Sequence, residues 1–229
     1  MRSFSRSVFL GLGATAAFLL LLVNRAPAQV HQPSGKPVNA DVADDEVPES
    51  RVMLYSDKLD TEWIPGGWMP DGKGLMQNIT CKESPHGGKY CIRCGYRLEE
   101  NSWVGIGWLW LNKFQDHVRR PPNLFSRMNA KQGDHIVARF WARSKDRAWV
   151  KFQVGGGNGD SIAPGVTTDP DFIELSPEWK RYQIELTNQD ISGVIQIFGS
   201  FLDRAHCEDL KLAVVQWDLD DIYFVKLKN

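Results

Sequence analysis

The chain has 229 residues, 42% hydrophobic and 24% charged, ordinary globular chemistry that fits one domain with a leader and a linker. Arg2, Arg6 and Arg25 are the only charged residues before Gln29, so the remainder carries 24 basic against 28 acidic residues, about −4. No basic stripe is present, which argues against nucleic acid as a partner. Nine Trp residues is a high count for this length. Their ring N–H groups need partners when buried, so some indoles are expected half exposed, where aromatics serve recognition.

Arg2 and Arg6 open the chain, and an apolar run over 8–23 follows, interrupted only by Thr15. Ala26-Pro27-Ala28 then offers a small-x-small site before Gln29. This order predicts a signal peptide over 1–28, cut after Ala28. The run is short for a span of roughly 20 residues, and cleavage is favoured over an anchor, leaving no membrane span. No Cys lies near the site, so lipoprotein processing is not indicated. The mature chain is expected outside the cytoplasm: secreted, periplasmic or at the cell surface. Residues 29–50 hold Pro33, Pro37, Pro48 and the acids Asp41, Asp44, Asp45 and Glu46, and no aromatic. They read as a disordered tether.

From Arg51 on, strand patterns dominate, at 52–56, 75–82, 90–98, 103–111, 135–143, 149–155, 180–186, 194–201 and 212–225. Turn clusters such as Pro65-Gly66-Gly67 and Pro85-His86-Gly87-Gly88 separate them. About nine short strands without a long helical period predict one all-β sandwich or jelly roll over 51–229, with a short helix near 124–130. Strand alternation assigns Ile136, Ala138, Phe140 and Ala142 to the core, with Arg139, Trp141 and Arg143 opposite. Val150, Phe152 and Val154 form the next core set, opposite Trp149, Lys151 and Gln153. If the two strands make a hairpin, Trp141 and Trp149 share one polar face. An indole stacks on the C–H face of a sugar ring while guanidinium, ammonium and amide groups meet its hydroxyls, so this face suits a glycan.

Cys81, Cys91, Cys94 and Cys207 in an exported domain are disulfide candidates with three connectivities open. Cys81 and Cys91 flank a hairpin, which would leave Cys94 to Cys207. Cys91-x-x-Cys94 as half of a zinc site lacks its second pair, and free thiols are the remaining alternative. The 155–160 segment lacks the Lys-Ser/Thr and helix of a phosphate loop and reads as a loop at the sandwich edge. No paired-acid constellation of a glycosidase and no Gly-x-Ser-x-Gly elbow stands out.

Several motifs together resemble a family. Trp103-Val104-Gly105-Ile106-Gly107-Trp108, Phe140-Trp141-Ala142-Arg143, Trp179-Lys180-Arg181-Tyr182-Gln183-Ile184 and Leu219-Asp220-Asp221-Ile222-Tyr223-Phe224 stand in this order. The series resembles the carbohydrate-binding-module jelly rolls of the galactose-binding-like superfamily, over nearly all of 51–229. The resemblance implies a non-catalytic module for a glycan or polysaccharide. It also implies a structural calcium tying the first strand to the last, for which Asp57 and Asp221 are the candidates, oxygen ligands being what this ion takes. The expected sugar site is Trp141, Trp149, Arg139, Lys151 and Gln153 on a sheet face, with Trp63, Trp68 and Phe114 at a loop end. The alternatives are a structural or protein-interaction sandwich without sugar affinity and a jelly-roll lyase or glycosidase, since fold does not assign function.

Overall fold

The computed structural model describes residues 49–59, 63–68, 74–97, 102–110, 124–155, 165–194 and 196–228, with the side chains of 63–68 and 109–110 outside that description. The expected signal peptide, nearly all of the linker, and Phe114 lie outside the described residues. Twelve strands are described, arranged in two antiparallel sheets, a jelly-roll β-sandwich. One sheet orders β10 (Lys180–Glu185), β7 (Ile136–Arg143), β12 (Val214–Lys226), β1 (Ser50–Ser56) and β2 (Lys58–Leu59). β5 (Cys91–Arg97) pairs the first half of β12, and β4 (Leu75–Cys81) pairs β5, making seven strands. The other sheet orders β3 (Trp63–Trp68), β6 (Trp103–Trp110), β11 (Gln196–Asp203), β8 (Trp149–Val154) and β9 (Val166–Glu174). A single helical turn, α1, spans Leu124–Arg127 and buries Leu124.

All nine expected strands are present, and β2, β3 and β9 are additional. β3 contains Pro65-Gly66-Gly67, expected as a turn, and β9 contains Pro170. Both strands lie at the edges of their sheet, where a missing proline N–H removes no ladder bond. Ser50 opens β1 opposite Lys226, so the folded domain takes in the last residue assigned to the linker.

The core is where the alternation put it. Phe140 of β7 meets Phe152 of β8 at 4.6 Å and Phe198 of β11 at 4.9 Å between ring centroids. Trp217 of β12 donates its Nε1–H across the interior to Ser200 Oγ of β11 at 3.2 Å. The hydroxyl thereby satisfies an indole that burial would otherwise leave unpaired.

Two irregularities shift the alternation. The register between β11 and β6 slips between Gln196 and Phe198, so Ile197 and Phe198 both enter the core. β12 slips against β7 between Asp220 and Tyr223, with Asp221 at φ 44°, and Leu219 and Ile222 are both buried. Such a bulge adds one residue to one strand and turns the following side chains over.

No disulfide joins the four cysteines, which are all buried, and this agrees with the free-thiol alternative. Cys81 and Cys91 are cross-strand partners, as the hairpin implied, but without a bond. Burial pushes the Cys91 and Cys207 thiols up to about 12, so neither ionises readily. The zinc alternative fails on geometry, because Cys91 and Cys94 are three apart on one strand and face opposite ways, with Cys94 in the core.

Candidate functional site

The sheet face expected to carry both tryptophans is divided by the fold. β7 belongs to the seven-stranded sheet and β8 to the five-stranded sheet. Phe140 and Phe152 meet between the sheets, so Trp141, one residue after Phe140, and Trp149, three residues before Phe152, leave through opposite outer faces.

On the seven-stranded side the expected site is covered. The His86 ring stacks on Trp141 at 3.8 Å and 18°. Trp179 stands edge-on to His86 at 6.1 Å and donates its Nε1–H to Ser84 O at 3.0 Å. Arg139 is only 6% exposed. Arg143 donates to Asp218 Oδ2 at 3.0 Å and to the Glu83 carbonyl at 2.8 Å. Residues 83–90 thus lie over Trp141, and this tryptophan works as packing.

The acids expected to hold calcium grip that same segment. Asp57 Oδ1 accepts the backbone N–H groups of Lys89 and Tyr90, the latter at 2.9 Å. Asp220 Oδ2 accepts the N–H of His86 at 2.9 Å, and Asp221 Oδ2 pairs with His86 Nδ1 at 2.8 Å. A regular strand would send Asp220 and Asp221 to opposite faces, and the β12 bulge brings both to one loop. A Cβ on Gly88 would lie 2.1 Å from Asp57 Oδ2, so the missing side chain, at φ 55°, lets the carboxylate reach the backbone. Among the described residues no three His, Cys, Asp or Glu side chains gather as a cation site. The donor set does not fit a calcium at Asp57 and Asp221, because both carboxylates are engaged with hydrogen-bond donors of the loop.

Amide hydrogen bonds from Tyr90 and Lys89 hold the Asp57 carboxyl below its usual 3.8. A depressed folded value contributes stability above the unfolded value that is lost as the pH falls through the folded one. Burial acts oppositely on Asp220, raising its value. The melting temperature of the native chain is therefore expected to exceed that of Asp57→Asn at neutral pH, with the gap closing below pH 3.8. EDTA is expected to leave both melts unchanged; a chelator-sensitive melt would return these acids to a cation.

On the outer face of the five-stranded sheet the described residues form a groove. Cross-strand partners share a face, and the register gives one row of Gly66, Gly107, Gly199, Gln153 and Thr167 across all five strands. The adjacent row runs Trp68, Gly105, Phe201, Lys151 and Phe172. A Cβ on Gly105 would lie 2.5 Å from Phe201 Cε1, and one on Gly199 would lie 3.1 Å from Cε2. The Phe201 ring thus lies along the sheet, in space that two glycines leave empty. Trp103, Lys151, Gln153, Phe172, Phe201 and Asp203 line a groove of about 300 Å³ there. Trp103 is 38% exposed.

The polar groups around this platform are held in place. Lys151 Nζ pairs with Asp171 Oδ2 at 3.0 Å. The Thr167 hydroxyl and then Lys151 keep the Asp171 carboxyl below its usual value, so it is ionised and no proton donor at neutral pH. His206 stacks on Phe172 at 3.9 Å and 10° and pairs through Nδ1 with Asp203 Oδ1 at 2.7 Å. Trp149 stands 6.5 Å from His206, at the margin.

Of the expected sheet-face residues, Lys151 and Gln153 line this groove, Trp149 flanks it, and Arg139 and Trp141 belong to the other sheet. Trp63 and Trp68 end β3 opposite Trp110 and Gly105, with their side chains outside the described residues. Sequence reasoning missed Trp103, Phe172 and Phe201. Alternate glycines in Trp103-Val104-Gly105-Ile106-Gly107 and the Gly199, Phe201, Asp203 alternation were the available signs of a flat face beside an aromatic.

No family model matches the sequence, and no curated protein does. Solved structures do. A family 29 carbohydrate-binding module from Piromyces equi is similar at 11% identity and TM-score 0.45, over 77% of this chain and 90% of that one. The CBM22-1 xylan-binding domain from Paenibacillus barcinonensis Xyn10C gives 12% identity and TM-score 0.45, over 80% and 99%. A family 11 carbohydrate-binding module from Clostridium thermocellum, in complex with a β-1,3-1,4-mixed-linked tetrasaccharide, gives 13% and 0.45, over 77% and 96%.

Proposed function

We propose that this chain is an exported, non-catalytic glycan-binding module whose binding face is the outer surface of the five-stranded sheet. The observation that carries this is Phe201 laid over Gly105 and Gly199, with Lys151, Gln153 and Asp203 beside it. A flat ring offers a stacking surface, and the charged and amide groups at its border match hydroxyls. The Lys151 ammonium is paired with Asp171, and Asp203 is bonded to the His206 ring, so the groove polar groups have partners and the face suits a neutral sugar. An ionised Asp171 supports binding over acid catalysis, since a glycosidase needs one protonated carboxyl. Export rests on the order of charges, apolar run and small residues before Gln29.

Affinity electrophoresis through gels holding soluble β-glucan, xylan, mannan or galactan tests the reading. The native chain is expected to be retarded by at least one polymer, Phe201→Ala to run free, and Trp141→Ala to keep its retardation. Retardation lost in Trp141→Ala and kept in Phe201→Ala would move the site to the other sheet. No retardation by any polymer favours a sandwich for structure or protein contact.

A further inference from the structure

Two glutamines stand beside Gly199 on the outer face of the five-stranded sheet: Gln153, its cross-strand partner, and Gln196, whose amide nitrogen is buried and unpaired among the described residues. Gln196 is 4% exposed, and its Nε2 has no hydrogen-bond partner among the described residues. Such a group costs free energy in the folded chain, and each instance calls for a reason. Its position supplies one. The slip between Gln196 and Phe198 lets Ile197 and Phe198 both turn inward, which places Gln196 and Gly199 on the same outer face. Gln196 Nε2 lies 2.3 Å from where a Gly199 Cβ would stand, so the amide rests on the floor that this glycine leaves open. Bulges commonly re-aim a side chain beside a functional site.

Gln153 is the cross-strand partner of Gly199, and its Nε2 donates to Gly155 O at 3.2 Å. That bond fixes the amide and leaves its carbonyl oxygen Oε1 as the acceptor it presents. Gly155 N–H in turn donates to Gln196 O at 2.9 Å, tying the two glutamine strands together. The Gln196 donor thus stands over Gly199, next to the Phe201 ring, whose Cε2 is 3.1 Å from the same Cβ position, and Gln153 lies opposite that glycine on the next strand.

We propose that Gln196 and Gln153 form a hydroxyl-reading subsite at the edge of the groove, which Gln153 and Phe201 line. One sugar hydroxyl accepts from Gln196 Nε2 and donates to Gln153 Oε1 while its ring stacks on Phe201. The proposal rests on the glycan-binding reading of this face and adds which sugar group is recognised. A hydroxyl fits because it is both donor and acceptor. A site built around a hydroxyl rejects the analogue lacking it, since its buried polar groups are then left unpaired.

Gln196→Met, close in shape and without the amide, separates this role from packing. Its melting temperature is expected to rise by about 2–4 °C, because the unpaired group is gone. Its affinity for the native form of whichever polymer retards the unchanged chain (soluble β-glucan, xylan, mannan or galactan) is expected to fall at least about 10-fold. The O-methylated form of that polymer keeps oxygens that can accept from Gln196 Nε2 but offers no donor to Gln153 Oε1, so the native chain should bind it more weakly than the unmethylated polymer. A fall in melting temperature, or unchanged affinity for the unmethylated polymer, overturns the proposal. Phe201→Ala distinguishes the two readings: if it loses binding while Gln196→Met keeps it, the platform stands and the subsite fails. Binding lost in Gln196→Met and kept in Phe201→Ala leaves the subsite and removes the platform. Failure of the native chain to bind any of the four polymers overturns both.

Discussion

Asp218→Ala is expected to lower stability by about 3–5 kcal/mol, the range for removing one partner of a buried ion pair. Asp218 is 5% exposed and lies between two guanidinium groups. Arg93 Nε donates to its Oδ1 at 2.8 Å, and Arg143 Nε to its Oδ2 at 3.0 Å. Without the carboxylate, two cations face each other in a site nearly closed to water. Arg93 keeps Glu83, whose side chain is 66% exposed and gives little. Arg143 keeps only the Glu83 carbonyl at 2.8 Å and the face of Trp179 at 4.6 Å. For a domain of this size the loss corresponds to a fall of roughly 6–20 °C in melting temperature. Replacing Asp218, Arg93 and Arg143 together with Leu, Met and Met should recover most of it, because a buried charge cluster is often no better than apolar packing. A melt of Asp218→Ala within about 2 °C of the native one, at neutral pH, would show the cluster to be solvated.

The same cluster explains why half of the expected sugar face is shut. Arg143 carries the Glu83 carbonyl, and Trp179 carries that of Ser84. Together with Asp57, Asp220 and Asp221 they hold residues 83–90 down over Trp141. Nothing in the pattern of β7 shows this, since Arg, Trp and Arg on alternate positions read equally well as a wet face. The partners come from β12 and the 83–90 segment, far away in sequence.

What the alternation made legible was the inward half of each strand. Phe140, Phe152, Val150 and Ile184 are buried as their positions demanded, because side-chain period 2 and burial of one face leave little freedom. What it left open was the sheet to which a strand belongs. Residues 144–148 between β7 and β8 are short enough for a hairpin, yet the chain crosses there from one sheet to the other. Ser144 Oγ accepts the N–H groups of Asp146 and Ala148 and donates to Gln216 O, pinning the crossover to β12. This serine pins the crossover that sends Trp141 and Trp149 to different faces. The bulges at Ile197–Phe198 and Asp221 had no mark in the pattern either, and each redirects a polar side chain on which the site or the loop clasp depends.

Gly105→Val is expected to weaken glycan binding about 10- to 150-fold while leaving the fold intact. Gly105 lies in β6 without a positive φ, and a β-branched residue suits a strand. Its neighbours Val104 and Ile106 are buried, so the new side chain points outward and spares the core. There it meets Phe201, whose Cε1 and Cδ1 would lie 2.5 and 2.6 Å from the added Cβ. The ring must leave the floor, and a tilted ring offers a sugar an edge instead of a face. Losing the contact of one Phe side chain costs about 1.5–3 kcal/mol, which gives the stated range in Kd. The effect should be absent in a Phe201→Ala background, because the valine acts only through that ring, and two changes that share one contact do not add. Isothermal titration of the four chains of this cycle against one retained polysaccharide measures it. Additive losses would mean that Gly105 meets the sugar directly, with Phe201 elsewhere in the site. Equal affinity in all four chains would remove the platform from the site altogether.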